Sequence, residues 1–296
     1  MIASGDDLPH PDDLKERTRK IEQREASSSD TSDDEKEGDK PKRATITVKD
    51  GAGETVRTFT QIIHQGINRI VWDMRADGLR PLPPAEPAED GMLPPGLEVL
   101  PGSYSATIEF DGNEQTAELN VLGDERGDYS LEAHQTNHEM QVRLQGMRAR
   151  ANQGLLQIIE ARRDVETVSE LASALKTSRG IQPDDEDNPL NMLTKSAGEL
   201  KEKLKDAEKR FRVPEGTKGI VYSDDKVGSL IGSAQFYLAS SRAAPNQSAE
   251  RALSRANDKL EESLTALNVV LTDDLSAFRQ IVANAGLALL DQQPVE

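Results

Sequence analysis

Two periodicities divide the chain. Between residues 43 and 123 apolar and polar positions alternate at a spacing of two, and beyond that apolar residues recur at spacings of three and four. Thr45-Ile46-Thr47-Val48-Lys49 alternates and runs into Asp50-Gly51-Ala52-Gly53, the composition of a hairpin turn, with Thr55-Val56-Arg57-Thr58-Phe59 as the answering strand. Gly66-Ile67-Asn68-Arg69-Ile70-Val71-Trp72-Asp73 alternates again and holds the single tryptophan, predicting a strand with one buried face. A proline-rich loop over 79–101 follows, with Pro81, Pro83, Pro84, Pro87, Pro94 and Pro95. The step Pro101-Gly102 then turns Tyr104 into another strand. A last hairpin is predicted for 103–110 and 116–122 around Asp111-Gly112-Asn113. Five or more short strands in so little chain predict a small β-sandwich, with Trp72 and Tyr104 as structural residues of its packing.

The second half reads as helix. Met140, Leu144, Met147, Ala151, Leu155 and Ile158 form a stripe that Val165, Val168, Ala172 and Leu175 resume, predicting one long amphipathic helix that ends near Gly180. Acid at 184–187 precedes Pro189, and Leu193, Ala197, Leu200, Leu204, Ala207 and Phe211 mark a second helix closed by Pro214. Val227, Leu230, Ile231, Ala234 and Leu238 mark a third, broken by Pro245. Ser248 is read as the cap of a fourth through Leu253, Leu260 and Leu271, and Thr272 as the cap of a short fifth that stops at Gly286. Helices of this spacing with loops of about ten residues predict an antiparallel bundle, its first helix outreaching the others.

The front of the chain breaks both patterns. The stretch 27–42 has no apolar residue and predicts disorder, with a short helix allowed over 12–24. The expected organisation is a disordered acidic segment at 1–42, an immunoglobulin/fibronectin-like sandwich at 43–123 and a helical bundle at 124–296, an α+β chain. The first residues lack the charged and apolar regions of a signal peptide, and no run of about 18 apolar residues marks a transmembrane helix.

Charge changes the picture of partners. A net charge of −17 argues against nucleic acid and anionic membrane surfaces, both of which need clustered cations. The acidic excess, with more Arg than Lys, is also compatible with a high-salt proteome. With no cysteine, there is no disulfide, thiolate metal site or cysteine nucleophile in this sequence.

Candidate chemistry is sparse. His134 and His138 stand one helical turn apart, the spacing of a zinc pair, yet Gln135 occupies the place where a metalloprotease needs Glu. The acids at 184–187 lack the alternating ligands and central Gly of a calcium loop. Gly228-Ser229-Leu230-Ile231-Gly232 is no nucleophile elbow, and its small residues predict close helix packing. No phosphate-binding glycine loop is present, and ten aromatics in the whole sequence give no sugar platform. No catalytic residue and no cofactor are assigned. The helical stripe, represented by Met140, Leu144, Met147 and Leu155, is the candidate interaction face.

The motifs VKDGAGETVRTF, GINRIVWDMR and PGSYSATIEFDG resemble the C-terminal region of BNR-repeat (sortilin-like) β-propeller proteins, which often carry a glycosyl hydrolase label. Ile220-Val221-Tyr222-Ser223, Leu275-Ser276-Ala277-Phe278 and Ala285-Gly286-Leu287 resemble that family's tail in order and spacing, so the resemblance covers roughly 43–290. No Asp-box of the form Ser-x-Asp-x-Gly-x-x-Trp is present, and the strands are too few for propeller blades. The resemblance therefore implies architecture and a partner rather than an activity: a non-catalytic interaction or structural module that meets a propeller domain, another protein or a second copy of itself. The alternative is an accessory part of a hydrolase whose catalytic propeller lies outside this sequence. The resemblance implies a secreted or cell-envelope setting; without it the missing signal peptide implies a cytoplasmic one.

Overall fold

In the computed structural model, residues 2–3, 42–82, 91–124, 130–214, 217–218 and 223–287 are described. Most of the acidic segment at 1–42, the short helix expected over 12–24, part of the proline-rich loop and Ile220 to Tyr222 lie outside them. The chain divides into two compact units, Met1–Gly127 and Asp128–Glu296. A small antiparallel sheet region is followed by a helical region with one long helix.

In the first unit, β2 (Arg43–Asp50), β3 (Thr55–Ile62), β7 (Gly102–Phe110) and β8 (Asn113–Val121) form one sheet in the order β3-β2-β7-β8, every pair antiparallel. Both hairpins are set by local chemistry. Asp50 Oδ1 accepts the amides of Ala52 and Glu54, and Gly53 takes φ 85°. At the other turn Asp111 and Gly112 both sit at positive φ, 52° and 75°, the twist that a two-residue connection requires. Alternation sends Ala44, Ile46 and Val48 into the core with Ile63, Val99 and Tyr104, while Thr45, Thr47, Thr58, Thr60 and Thr107 occupy the opposite face.

The strand expected over residues 66–73 is corrected by the structure. Only β4 (Gly66–Ile67) is extended and paired, with β1 (Ile2–Ala3), so these two residues also depart from the disorder expected at 1–42. The Asn68 side chain accepts the His64 amide and donates to the carbonyls of His64 and Gly66, closing a local loop. Asp73 Oδ1 accepts the Arg75 amide, and Met74 sits at φ 56°. These side-chain bonds take over backbone groups that a ladder would have used. The proline-rich loop is likewise partly regular, because β6 (Pro95–Glu98) pairs with β5 (Arg75–Asp77). Proline at the first residue of a strand costs no ladder bond. Arg57, 8% exposed, clamps this hairpin by donating to Asp77 Oδ1 at 3.0 Å and to the carbonyls of Leu93 and Pro94.

The second unit begins with α1 (Leu131–Arg179), 49 residues capped by the Ser130 hydroxyl and ended by Gly180 at φ 65°. α2 (Pro189–Phe211) has Pro189 at its first turn and the Asn188 side chain accepting the Leu190 amide. α3 (Val227–Ala239) and α4 (Gln247–Val269) follow, then a π-helical turn (Val270–Asp274) and α5 (Leu275–Asn284). The caps expected at Ser248 and Thr272 are corrected. Asn246 caps α4, its Oδ1 accepting the Ala249 amide. The Thr272 hydroxyl donates back to the Asn268 carbonyl, so the chain stays helical through the π turn instead of breaking. α1 packs on α2, α3 and α4, and α2 on α4 and α5. A Cβ at Gly154 of α1 would sit 3.2 Å from Leu264 and Leu267 and 3.4 Å from Phe211, so three helices meet closely at this hydrogen.

Candidate functional site

The stripe read as an interaction face lies mostly within the helical unit. Leu144, Met147 and Leu155 are buried there and Met140 is half-buried, joined by Leu193, Leu204 and Phe211 of α2 and Leu260 and Leu267 of α4 in the buried set. Leu144, Met147 and Leu155 therefore leave little apolar surface free for a partner, while Met140 keeps part of its own.

His134 and His138 occupy the first turns of α1, the former buried and the latter half-buried. Between them Asn137, 2% exposed, donates through Nδ2 to the carbonyls of Ser241 and Ala243 at 3.0 Å each. Gln141 donates in turn to Asn137 Oδ1 at 2.7 Å. Asn137, held in place by Gln141, thus fastens the start of α1 to the segment between α3 and α4, satisfying carbonyls beyond the end of α3. Among the described residues no group of three or more His, Asp or Glu side chains is placed to hold a metal ion. Around the glycine pair, a Cβ at Gly228 would approach the Phe211 carbonyl at 3.2 Å, so close helix packing holds there, whereas Gly232 faces open space.

Trp72 and Tyr104 come together in the first unit, ring centroids 5.4 Å apart and planes tilted by 60°. Trp72 is half-buried and donates from Nε1 to the Arg75 carbonyl. The Tyr104 hydroxyl donates to the Leu100 carbonyl at 2.6 Å, and burial, with Asp50 nearby, pushes this phenol up, keeping it a neutral donor. Since Trp72 only flanks the core, Trp72→Ala is expected to cost about 2 kcal/mol, less than a full core truncation. Chemical denaturation of the first unit followed by amide exchange checks this, and a loss under about 0.5 kcal/mol removes Trp72 from the packing.

What the apolar stripes left over is more informative. α3 buries Val227, Leu230, Ile231, Ala234 and Leu238, and turns Phe236 and Tyr237 outward at 71% and 45% exposure. Their rings meet edge-on, with centroids 6.0 Å apart. In a chain that is 3% aromatic, two adjacent exposed rings stand out. Sequence reasoning missed them; helical phase alone could have found them, because 236 lies far from the 227/231/234/238 stripe. Among the described residues no helix is long and apolar enough to cross a membrane.

No protein-family model matches the chain, and neither a curated protein nor a solved structure does.

Proposed function

We propose that this chain is a non-catalytic protein-interaction module, an immunoglobulin-like sandwich and an antiparallel helical bundle of the kind implied by its resemblance to sortilin-like propeller tails. Its partner is a propeller domain or another protein. The observation that carries the reading is the solvent-facing pair Phe236 and Tyr237 on a helix whose opposite face is buried. Large, stiff aromatic rings supply most of the free energy at the centres of interfaces, at little rotamer cost. Positions 236 and 237 hold such rings in water, where the fold gains little from them. The acidic surface adds solubility and rejects anionic partners.

A photo-crosslinking amino acid at position 236, introduced in the native cells, is expected to give a discrete protein adduct. The same group at the exposed Arg163 serves as the control. Phe236→Ala with Tyr237→Ala is expected to weaken capture of that adduct's protein by about 100-fold, leaving thermal unfolding within about 0.5 kcal/mol of the parent. Equal adduct formation at 236 and 163 rules out this surface as the interface.

A further inference from the structure

Among the described residues the main sheet has one guarded edge and one open edge. At β3 the Thr58 amide points to the Asp77 carboxylate, and β5 lies alongside. At β8 residues 113–118 are all exposed, although the strand pairs with β7 along its full length, from Gly102↔Val121 to Phe110↔Asn113. One row of β8 backbone groups is used by β7, and the alternate row points outward. A nine-residue strand with such a row is a template for one more strand.

Charge decides what can add there. Residues 102–121 include Glu109, Asp111, Glu114 and Glu118 and not one Lys or Arg. Among the described residues no ion pair engages Glu109, Glu114 or Glu118. Alternation places Glu114, Thr116 and Glu118 on one face of β8, and Ala117, Leu119 and Val121 on the other, where Leu119 and Val121 pack against the core. A second copy paired antiparallel about Ala117 would bring four glutamates onto one face, in chains that each carry −17. The carboxylates that guard this edge against its own copy favour a strand of opposite charge.

We propose that β8 is a docking edge for an extended cationic peptide of another protein, added antiparallel as a fifth strand. Lys or Arg at i and i+4 of the peptide face Glu118 and Glu114, and β-branched residues at i−1 and i+1 face Leu119 and Ala117. This site lies in the first unit and does not rest on Phe236 and Tyr237.

The probe is a fluorescent octapeptide, Thr-Val-Arg-Val-Thr-Val-Arg-Thr, titrated into the full chain by anisotropy. Saturable binding is expected, with slowed amide exchange over 113–121. Glu114→Lys with Glu118→Lys is expected to weaken it about tenfold without shifting the melting profile. A peptide N-methylated on alternate amides keeps its charge but cannot complete a ladder, and it is expected not to bind. Equal binding of the N-methylated peptide, or binding with no change in β8 exchange, reduces the effect to charge attraction and overturns the proposal. A concentration-dependent dimer whose β8 amides are protected in the absence of peptide also overturns it, by giving the edge to a second copy.

Discussion

Gly96→Ala is expected to destabilise the first unit by about 3 kcal/mol, although it adds a single methyl group. An added Cβ would lie 2.6 Å from the Asp77 carbonyl oxygen, 2.8 Å from the Asp77 carbonyl carbon and 2.9 Å from the Gly78 Cα. Gly78 is equally constrained, its Cβ meeting the Pro94 carbonyl at 2.7 Å. Every one of these neighbours is backbone, so no side-chain tip can swing aside. The β5–β6 pair has to part, losing the Gly78 amide bond to Pro94 and drawing Asp77, Leu93 and Pro94 away from Arg57. A guanidinium left buried without its acceptors sets the size of the loss. Trp72, the sole tryptophan, belongs to this unit, so its fluorescence during denaturation reads the effect directly. The double variant with Arg57→Met is expected to cost less than the sum of the single changes, because both remove the same contacts. Full additivity would show that the clash acts by another route.

What could be read in the sequence follows the range of the interactions involved. The turns at Asp50-Gly51-Ala52-Gly53 and Asp111-Gly112 are settled by residues within four positions of one another, and both stand in the structure at the expected places. The long stripe from Leu144 to Ala172 needed only helical phase. The strand expected around Trp72 failed because alternation is blind to an Asn68 side chain that binds the backbone on both sides. Thr272 has the residue type of a helix start, and only the direction of its hydroxyl bond tells a cap from a continuation. Arg57 with Asp77, and Arg162 with Glu208, are joined across 20 and 46 residues, and no local pattern announces such pairs. The aromatic pair at 236 and 237 was legible and overlooked, because a stripe draws attention to the residues that fit it.

Glu208 is the most exacting of these long-range contacts, and its removal is expected to cost the helical unit about 3 kcal/mol as Glu208→Ala. It is 1% exposed, near the C-terminal end of α2, where the helix dipole disfavours a negative charge. Arg162 of α1 donates to its Oε2 and Arg212 to its Oε1 at 2.9 Å, so the carboxylate joins two helices and the cap of one. Burial alone would push this carboxyl up; the hydrogen bonds and charges of the two guanidinium groups reverse that and hold it below the usual glutamate range. A group depressed in the folded state stabilises above its unfolded pKa and loses that contribution as pH falls through the folded one. The stability gap between the parent and Glu208→Gln is therefore expected to be full at pH 7 and to shrink progressively below about pH 4.5, the ordinary glutamate value. Comparing the two proteins cancels the background of the other acids, the chain having 53 Asp and Glu with Glu208 included. Glu208→Leu is expected to lose less than Glu208→Ala, because both arginines are partly exposed and can turn to water while the leucine fills the space. Equilibrium denaturation followed by helical circular dichroism from pH 7 to pH 3 tests the set. A gap that stays constant across that range would mean that Glu208 is held by packing and not by its charge.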